Sequence, residues 1–336
     1  MTQTRYDVLA IGNAIVDVIS DADDAFIAAQ SLNKGGMTLI DADRARTLYD
    51  AMGPGREISG GSAANTLAGL ARLGHKTAFI GQVAQDQLGD VFAHDIRATG
   101  IDFDVPARPG QPPTALCLIL VTPDAQRTMN TFLGASQYLP AQLIDPELIQ
   151  SAAILYLEGY LWDPEEPRAA MRTAIDLARA AGRKVALTLS DAFVISRHGP
   201  DFVAEMDAGR IDILFANEVE ITALAGTDDF EAAVAMMAAK VPLLVCTRGE
   251  HGAIAVQGAE RVEVPAEPVS RLVDTTGAGD LFAAGVFAGL AQRRSLKDCL
   301  TMGAVCAAEV ISHYGARPEA DIAKLVRERL GADAAN

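Results

Sequence analysis

The sequence predicts a doubly wound α/β fold, a mostly parallel central sheet with helices on both faces, and three observations predict it. Short apolar runs rich in β-branched residues alternate with alanine-rich helical stretches along most of the chain. Strands separated by helical crossovers are how a parallel sheet reads in sequence. Half of the 336 residues are apolar and 21% are charged, which supplies a large core and excludes global disorder. The length fits one large domain or two modest ones, and no repeat or low-complexity linker divides it.

The elements follow in order. Residues 6–12, apolar and ended by Gly12, read as the first strand, and 62–73, after a glycine pair, as a helix. A strand at 77–83 leads into a helix at 87–99. The strand 154–157 precedes a helix at 167–181, and strands follow at 184–189 and 211–215. Helices at 218–225 and 230–239 come next, then a strand at 242–247. Two long alanine-rich helices, 278–292 and 295–313, close the pattern. Residues 15–41 and 101–134 break the rhythm: they hold strand-like runs (115–122, 127–133) and the turn signal Pro123-Asp124, without a good helix. Neither stretch buries its own face, so the two are expected to build a small β-sheet lid inserted into one domain spanning 1–330. The tail, 331–336, is expected to fray.

Charge narrows the function. The chain has 28 Lys+Arg against 44 Asp+Glu, a net charge of −16, and no basic cluster. Nucleic-acid binding depends on such clusters and is not expected. Anionic ligands would be met locally, by backbone amides and a metal. The start lacks a basic n-region and a cleavage site, and the most apolar helical stretch, 281–291, is far shorter than the ~20 residues a membrane span needs. The four cysteines form no CxxC pair and read as buried hydrophobes in a reducing compartment. A cytoplasmic protein without membrane partners is the expectation.

The strongest motif is Asp274-Thr-Thr-Gly277-Ala278-Gly279-Asp280 at the start of a helix. Small residues there let backbone amides converge on an anion, with Asp280 beside it as a candidate proton acceptor. Read alone, the segment also fits a plain glycine-rich helix start capped by Asp280. A second glycine turn, Gly60-Gly61-Ser62-Ala63-Ala64-Asn65, opens another helix and admits a polar ligand close to the backbone. It narrowly misses the GxSxG elbow of serine hydrolases because Ala64 replaces the last glycine.

Gly12-Asn13-x-x-x-Asp17 puts an acid just past the first strand, where it suits a sugar diol; otherwise Asp17 is a turn residue. Asn217 and Glu220 share a helix face and present oxygens suited to hydrated Mg²⁺, or simply begin a solvated helix. Thr247-Arg-Gly249-Glu-His-Gly252 follows a strand and admits a phosphate or ribose edge, or forms a plain β-turn. Walker A, HRD, DFG, HExxH and GxGxxG signatures are missing. The histidines show no metal-ligand spacing.

Together these motifs, in this order, resemble the ribokinase-like PfkB family of carbohydrate and nucleoside kinases over residues 5–330. The resemblance implies a ribokinase-like core with a β lid and ATP-dependent phosphorylation of a hydroxymethyl group. It implies Asp280 as base, Gly277, Ala278 and Gly279 as anion hole, and Asn217 with Glu220 organising Mg²⁺. Asn217, Thr247, Gly249, Gly252 and His313 would bind ATP; Asp274, Thr276 and Gly315 resemble a K⁺ loop. Within the family, Asn13 and Asp17 resemble the base- and ribose-binding pair of adenosine kinases, and Arg127 the lid arginine that reaches the phosphates. Gly60, Gly61 and Asn65 would line the acceptor site, with Met37, Leu39, Phe132 and Leu133 framing a purine, or serving as ordinary lid packing. The expectation is therefore an adenosine kinase-like enzyme taking ATP and a nucleoside, as a monomer or a lid-mediated homodimer. A ketose or ribose kinase, a non-catalytic binding protein on the same scaffold and a dinucleotide oxidoreductase stand as alternatives.

Overall fold

The computed structural model describes residues 4–124 and 126–331. In chain order its strands begin with β1 (Tyr6–Ile11), β2 (Ile15–Asp21), β3 (Met37–Leu39), β4 (Arg56–Gly60), β5 (Thr77–Ile80), β6 (Ile101–Asp102) and β7 (Ala115–Val121). They continue with β8 (Arg127–Phe132), β9 (Ala152–Glu158), β10 (Lys184–Thr188), β11 (Ile213–Asn217), β12 (Leu243–Thr247), β13 (Ala253–Gln257) and β14 (Glu260–Val264).

Nine strands form a sheet in the order β14-β13-β12-β11-β10-β9-β1-β5-β6. It is parallel from β12 to β6, and β13 and β14 add an antiparallel hairpin at one edge. Both faces are covered, so β1 is an unbroken apolar run whose alternate residues serve different cores. Val8 and Ala10 pack with Tyr156, Phe215 and Phe287 on one face. Leu9 and Ile11 pack with Leu157, Trp162 and Phe202 on the other. Helices Ser62–Arg72, Ala278–Ala291 and Leu296–Val310 cover the first face; Glu165–Ala180, Ala192–Asp207 and Phe230–Ala238 cover the second. This is the ribokinase-like arrangement the sequence predicts. Among the described residues no helix is long and apolar enough to cross a membrane, and all four cysteines are buried and free.

The other five strands form a smaller sheet in the order β3-β8-β7-β2-β4. Its outer face, with Val16, Val18, Leu118 and Leu120, packs on Ile27 and Leu48 from helices Asp24–Ala29 and Ala42–Ala51. Its inner face carries Asp17, paired across the strands with Cys117, and in turn Thr131 and Leu39.

Several details differ from the sequence reading. A helix, Asp24–Ala29, lies inside 15–41; it is capped by Asp23 and buries only Ile27, so it carries no apolar stripe to read. The small sheet also includes β4, whose polar sequence Arg-Glu-Ile-Ser-Gly hides an edge strand outside both expected stretches. Residues 101–102 join the large sheet instead, beside β5. The helices Ala192–Asp207 and Ile322–Leu330 and the β13–β14 hairpin were likewise unforeseen. The expected fraying tail lies, beyond Gly331, outside the described residues.

Candidate active site

Gly277 caps the helix Ala278–Ala291 with a left-handed φ of 79°. A Cβ there would stand 2.7 Å from the Ala316 side chain, so only glycine fits. The Ala278 amide donates to the Thr275 carbonyl at 3.2 Å, and the first-turn amides have no intrahelical partner, as an anion-binding helix end requires. Asp280 stands in that turn. Its Oδ1 accepts a hydrogen bond from Ser62 Oγ at 2.6 Å, and its Oδ2 accepts one from Asn65 Nδ2 at 3.1 Å. Burial pushes its carboxyl up to about 6 against the pull of these two bonds and of the Arg317 charge. The two glycine-opened helices thus meet at one carboxylate.

Asp17 lies across from it. Gly60 makes room: a Cβ there would approach the Asp17 carboxylate to 2.5 Å. Burial raises the Asp17 carboxyl to about 6, with Arg127 and Arg317 pulling it down and Asp280 pushing it up. No described residue donates a hydrogen bond to it. Met37 and Leu39, on the same sheet face, are 47% and 60% exposed. Phe132 belongs on the opposite face, because it pairs with Leu116 rather than Cys117 and lines a groove with Ala45 and Tyr49. The expected purine frame is therefore corrected: Phe132 is not part of it.

Asn13 is engaged by the protein itself. It is buried, its Nδ2 donates to Glu158 Oε1 at 2.6 Å, and its Oδ1 accepts from Ser136 Oγ at 2.8 Å. These bonds use one N–H and one lone pair of the amide and hold Asn13 in place between Glu158 and Ser136. Glu158 also accepts from the Ala63 amide at 2.9 Å, and burial raises it to about 7. It ties β1, β9 and the Gly60-Gly61 turn together. The sequence reading ended its strand one residue early and missed it, although an acid just past an apolar strand is the signal that singled out Asp17.

Asp274 is closed by four donors. Thr276 N and Oγ1 serve Oδ1, while the Gly315 amide and Arg127 Nη1 serve Oδ2. Burial pushes this carboxyl up, but the Thr276 bonds and the Arg127 charge hold it below its ordinary value. A guanidinium faces the carboxylate and its four acceptor sites are taken, so Asp274 does not offer the free oxygen that the K⁺ expectation needs. Arg127 Nε is buried without a partner.

Asn217 and Glu220 form a reciprocal cap: Asn217 Oδ1 accepts from the Glu220 amide at 2.8 Å and Glu220 Oε2 from the Asn217 amide at 3.0 Å. Burial raises Glu220 to about 7, and Asp191 pushes the same way. Tyr160 nearby is raised by burial and by Asp191, Glu158, Asp280 and Glu220, all of them acids. The region is rich in negative charge, but Asn217 Oδ1 and both Glu220 oxygens are bonded within the cap, Oε1 by Asn217 Nδ2 at 2.6 Å, and among the described residues no group of three or more acids, histidines or cysteines is arranged to hold a metal ion directly. Thr247 lies beside Asn217 on the neighbouring strand, and Gly249 and Gly252 bound the turn that follows. His313 is bonded to Glu309 at 3.2 Å and lines a cavity of about 720 Å³ with Val269, Ser270 and Ser312, whose lining does not include those three residues.

A model of the pfkB family carbohydrate kinases matches residues 36–323. The chain belongs to that family. A PfkB kinase takes ATP as co-substrate and a small-molecule acceptor, so the hydrolase and oxidoreductase alternatives fall. Among solved structures, a probable sugar kinase from Rhizobium etli is 45% identical, with 97% of this chain and 99% of that one covered and a TM-score of 0.90. An adenosine kinase from Sinorhizobium meliloti is 46% identical over the same shares, with a TM-score of 0.89. A curated relative, fructokinase-1 of rice, is 29% identical over 80% of this chain and 88% of its own length. This PfkB kinase thus resembles members named for both sugars and a nucleoside.

Proposed function

We propose that this kinase transfers the γ-phosphoryl group of ATP to the 5′-hydroxymethyl of a purine nucleoside, adenosine foremost. One observation carries the choice: Asp17, a half-buried carboxylate with no donor of its own among the described residues, shares a sheet face with exposed, apolar Met37 and Leu39. A ribose diol would supply the missing donors, and the apolar edge would cover a flat base. The likeness to the adenosine kinase supports the same reading. The likeness to fructokinase-1 favours a second one, phosphorylation of a free sugar, which needs no apolar cover.

In the proposed reaction Asp280 accepts the 5′-hydroxyl proton as the oxygen attacks the γ-phosphorus. The new O–P bond forms as the bond to the β-phosphate oxygen breaks, and ADP leaves. Gly277, Ala278 and Gly279 amides hold the charge on the transferring group, the main task in phosphoryl transfer. Arg127 keeps Nη1 on Asp274 and offers its remaining N–H groups to the phosphates. Magnesium, when bound, would neutralise phosphate charge; Asn217 and Glu220 would hold it through water, with the charge of Asp191 acting on Glu220. Thr247, Gly249 and Gly252 border the nucleotide, and the small sheet closes as a lid to exclude water.

An ATP-consumption assay with Mg²⁺ over adenosine, guanosine, inosine, cytidine, ribose and fructose tests this, with Asp280→Asn alongside. Nucleoside turnover that collapses in the variant is the expected result. Turnover confined to free sugars would sink the nucleoside reading.

A further inference from the structure

Arg317 belongs to no motif, follows the Gly315-Ala316 turn, and reaches two elements at once, the helix Ser62–Arg72 and strand β4. Its Nε donates to Asn65 Oδ1 at 3.0 Å. One Nη donates to the Ser59 carbonyl at 2.6 Å and to Ser59 Oγ at 3.1 Å. Ser59, at the end of β4 in the small sheet, is itself held by Asp95, whose Oδ2 accepts from its amide at 2.8 Å and its hydroxyl at 2.6 Å. An amide side chain offers one acceptor and one donor end. With its oxygen taken by a guanidinium, which can only donate, Asn65 has to turn its Nδ2 toward Asp280, where it stands 3.1 Å from Oδ2.

We propose that Arg317 is a positioning residue for the catalytic carboxylate: it fixes the Asn65 amide so that Asp280 stays ionised and correctly aimed, and it ties that state to strand β4. The inference rests on the reading of Asp280 as the base.

The surroundings explain why such a group is needed. Asp280 faces Asp17 from β2, Glu158 and Tyr156 from β9, Tyr160 beyond β9, and Ser62 and Asn65 from the helix Ser62–Arg72. Two of these groups are acids and none is a cation. Arg317 supplies the positive charge acting on Asp280 among the described residues, and burial opposes that ionised state. Arg317 lies under the same carboxylate pair, since its charge also acts on Asp17.

The test reads ionisation separately from activity. The Asp280 carboxyl is titrated by ¹³C NMR, assigned by difference from Asp280→Asn, in the native protein, Arg317→Met and Arg317→Lys. In Arg317→Met the midpoint should rise by about one pH unit. In Arg317→Lys, which keeps charge but cannot bridge Asn65 and Ser59, it should rise less. That smaller rise should vanish in an Asn65→Ala background, because residues acting through one path are not additive. An unmoved midpoint in Arg317→Met, or a lysine effect that survives in Asn65→Ala, would overturn the proposal. Should Arg317→Met fail to fold by circular dichroism, Arg317→Gln is read in its place. Kinetics with whichever of adenosine, ribose or fructose turns over fastest separate the two readings. Activity retained in Asp280→Asn removes the base assignment, whereas a normal midpoint in the arginine variants removes only the role of Arg317.

Discussion

The two carboxylates that face each other across the cleft are built in opposite ways. Asp280 has both oxygens engaged, by Ser62 and Asn65, and Asn65 is engaged in turn by Arg317. Asp17 has neither oxygen engaged, although burial raises both groups to about 6. The first belongs to the large domain and is organised before any ligand arrives. The second sits on the small sheet, on the same face as the exposed Met37 and Leu39 three strand positions away at the sheet's edge. A group that performs chemistry must be aimed beforehand, whereas a group that binds is most selective when only the ligand can satisfy it. Under the proposed function, this contrast puts catalysis on the side of Asp280 and recognition on the side of Asp17.

Breaking the organised side should cost most. Asp280→Asn should lower kcat by about 10³-fold or more, the range of a lost general base, with KM for ATP little changed and the fold intact by circular dichroism. Arg127→Met should lower kcat by about 10²-fold, less than a full arginine finger because the helix amides remain. A KM effect without a kcat effect would place Arg127 outside the transferring phosphates.

The recognition side should respond in KM. Asp17→Asn should raise KM for the nucleoside by about 10- to 100-fold, the worth of hydrogen bonds to a charged group, and leave KM for ATP alone. Both acids must be ionised, so protonation as pH falls below about 6 should cost activity twice over. The slope of log kcat/KM against pH should approach two in the native enzyme and one in Asp17→Asn; equal slopes would mean Asp17 binds nothing that depends on its charge. Met37→Ser with Leu39→Ser should raise KM for adenosine by about 3- to 10-fold, from lost apolar cover, and leave any turnover of fructose untouched. The smallest effect concerns potassium: with Asp274 filled by four donors, replacing K⁺ by N-methylglucamine should leave kcat unchanged.

Much of this was readable in the residues, and the misses have physical causes. The glycine-opened helices at Gly60 and Gly277 and the acid Asp280 stand out because close backbone approach leaves a compositional mark. Strands such as β1 stand out because burial on both faces demands an unbroken apolar run. Phe132 was misplaced although the means to place it were present. Arg127 and Phe132 lie five residues apart on one strand, an odd spacing, and so point to opposite faces. Asn13 could not be judged, because its partners Glu158 and Ser136 are brought in by folding from more than a hundred residues away. Arg317 left no signal for the same reason: its role exists only where Asn65, Ser59 and Asp280 meet. The short helix Asp24–Ala29 and the polar edge strand β4 bury too little to imprint a period.

The most direct test is a competition. Equimolar adenosine and fructose are offered with limiting ATP and Mg²⁺, and products are read by ³¹P NMR for the native protein and for Asp17→Asn. A nucleoside 5′-phosphate should accumulate with the native protein and fall sharply in the variant. Fructose phosphate as the sole product, at equal rates in both, would contradict the division of labour between the two carboxylates.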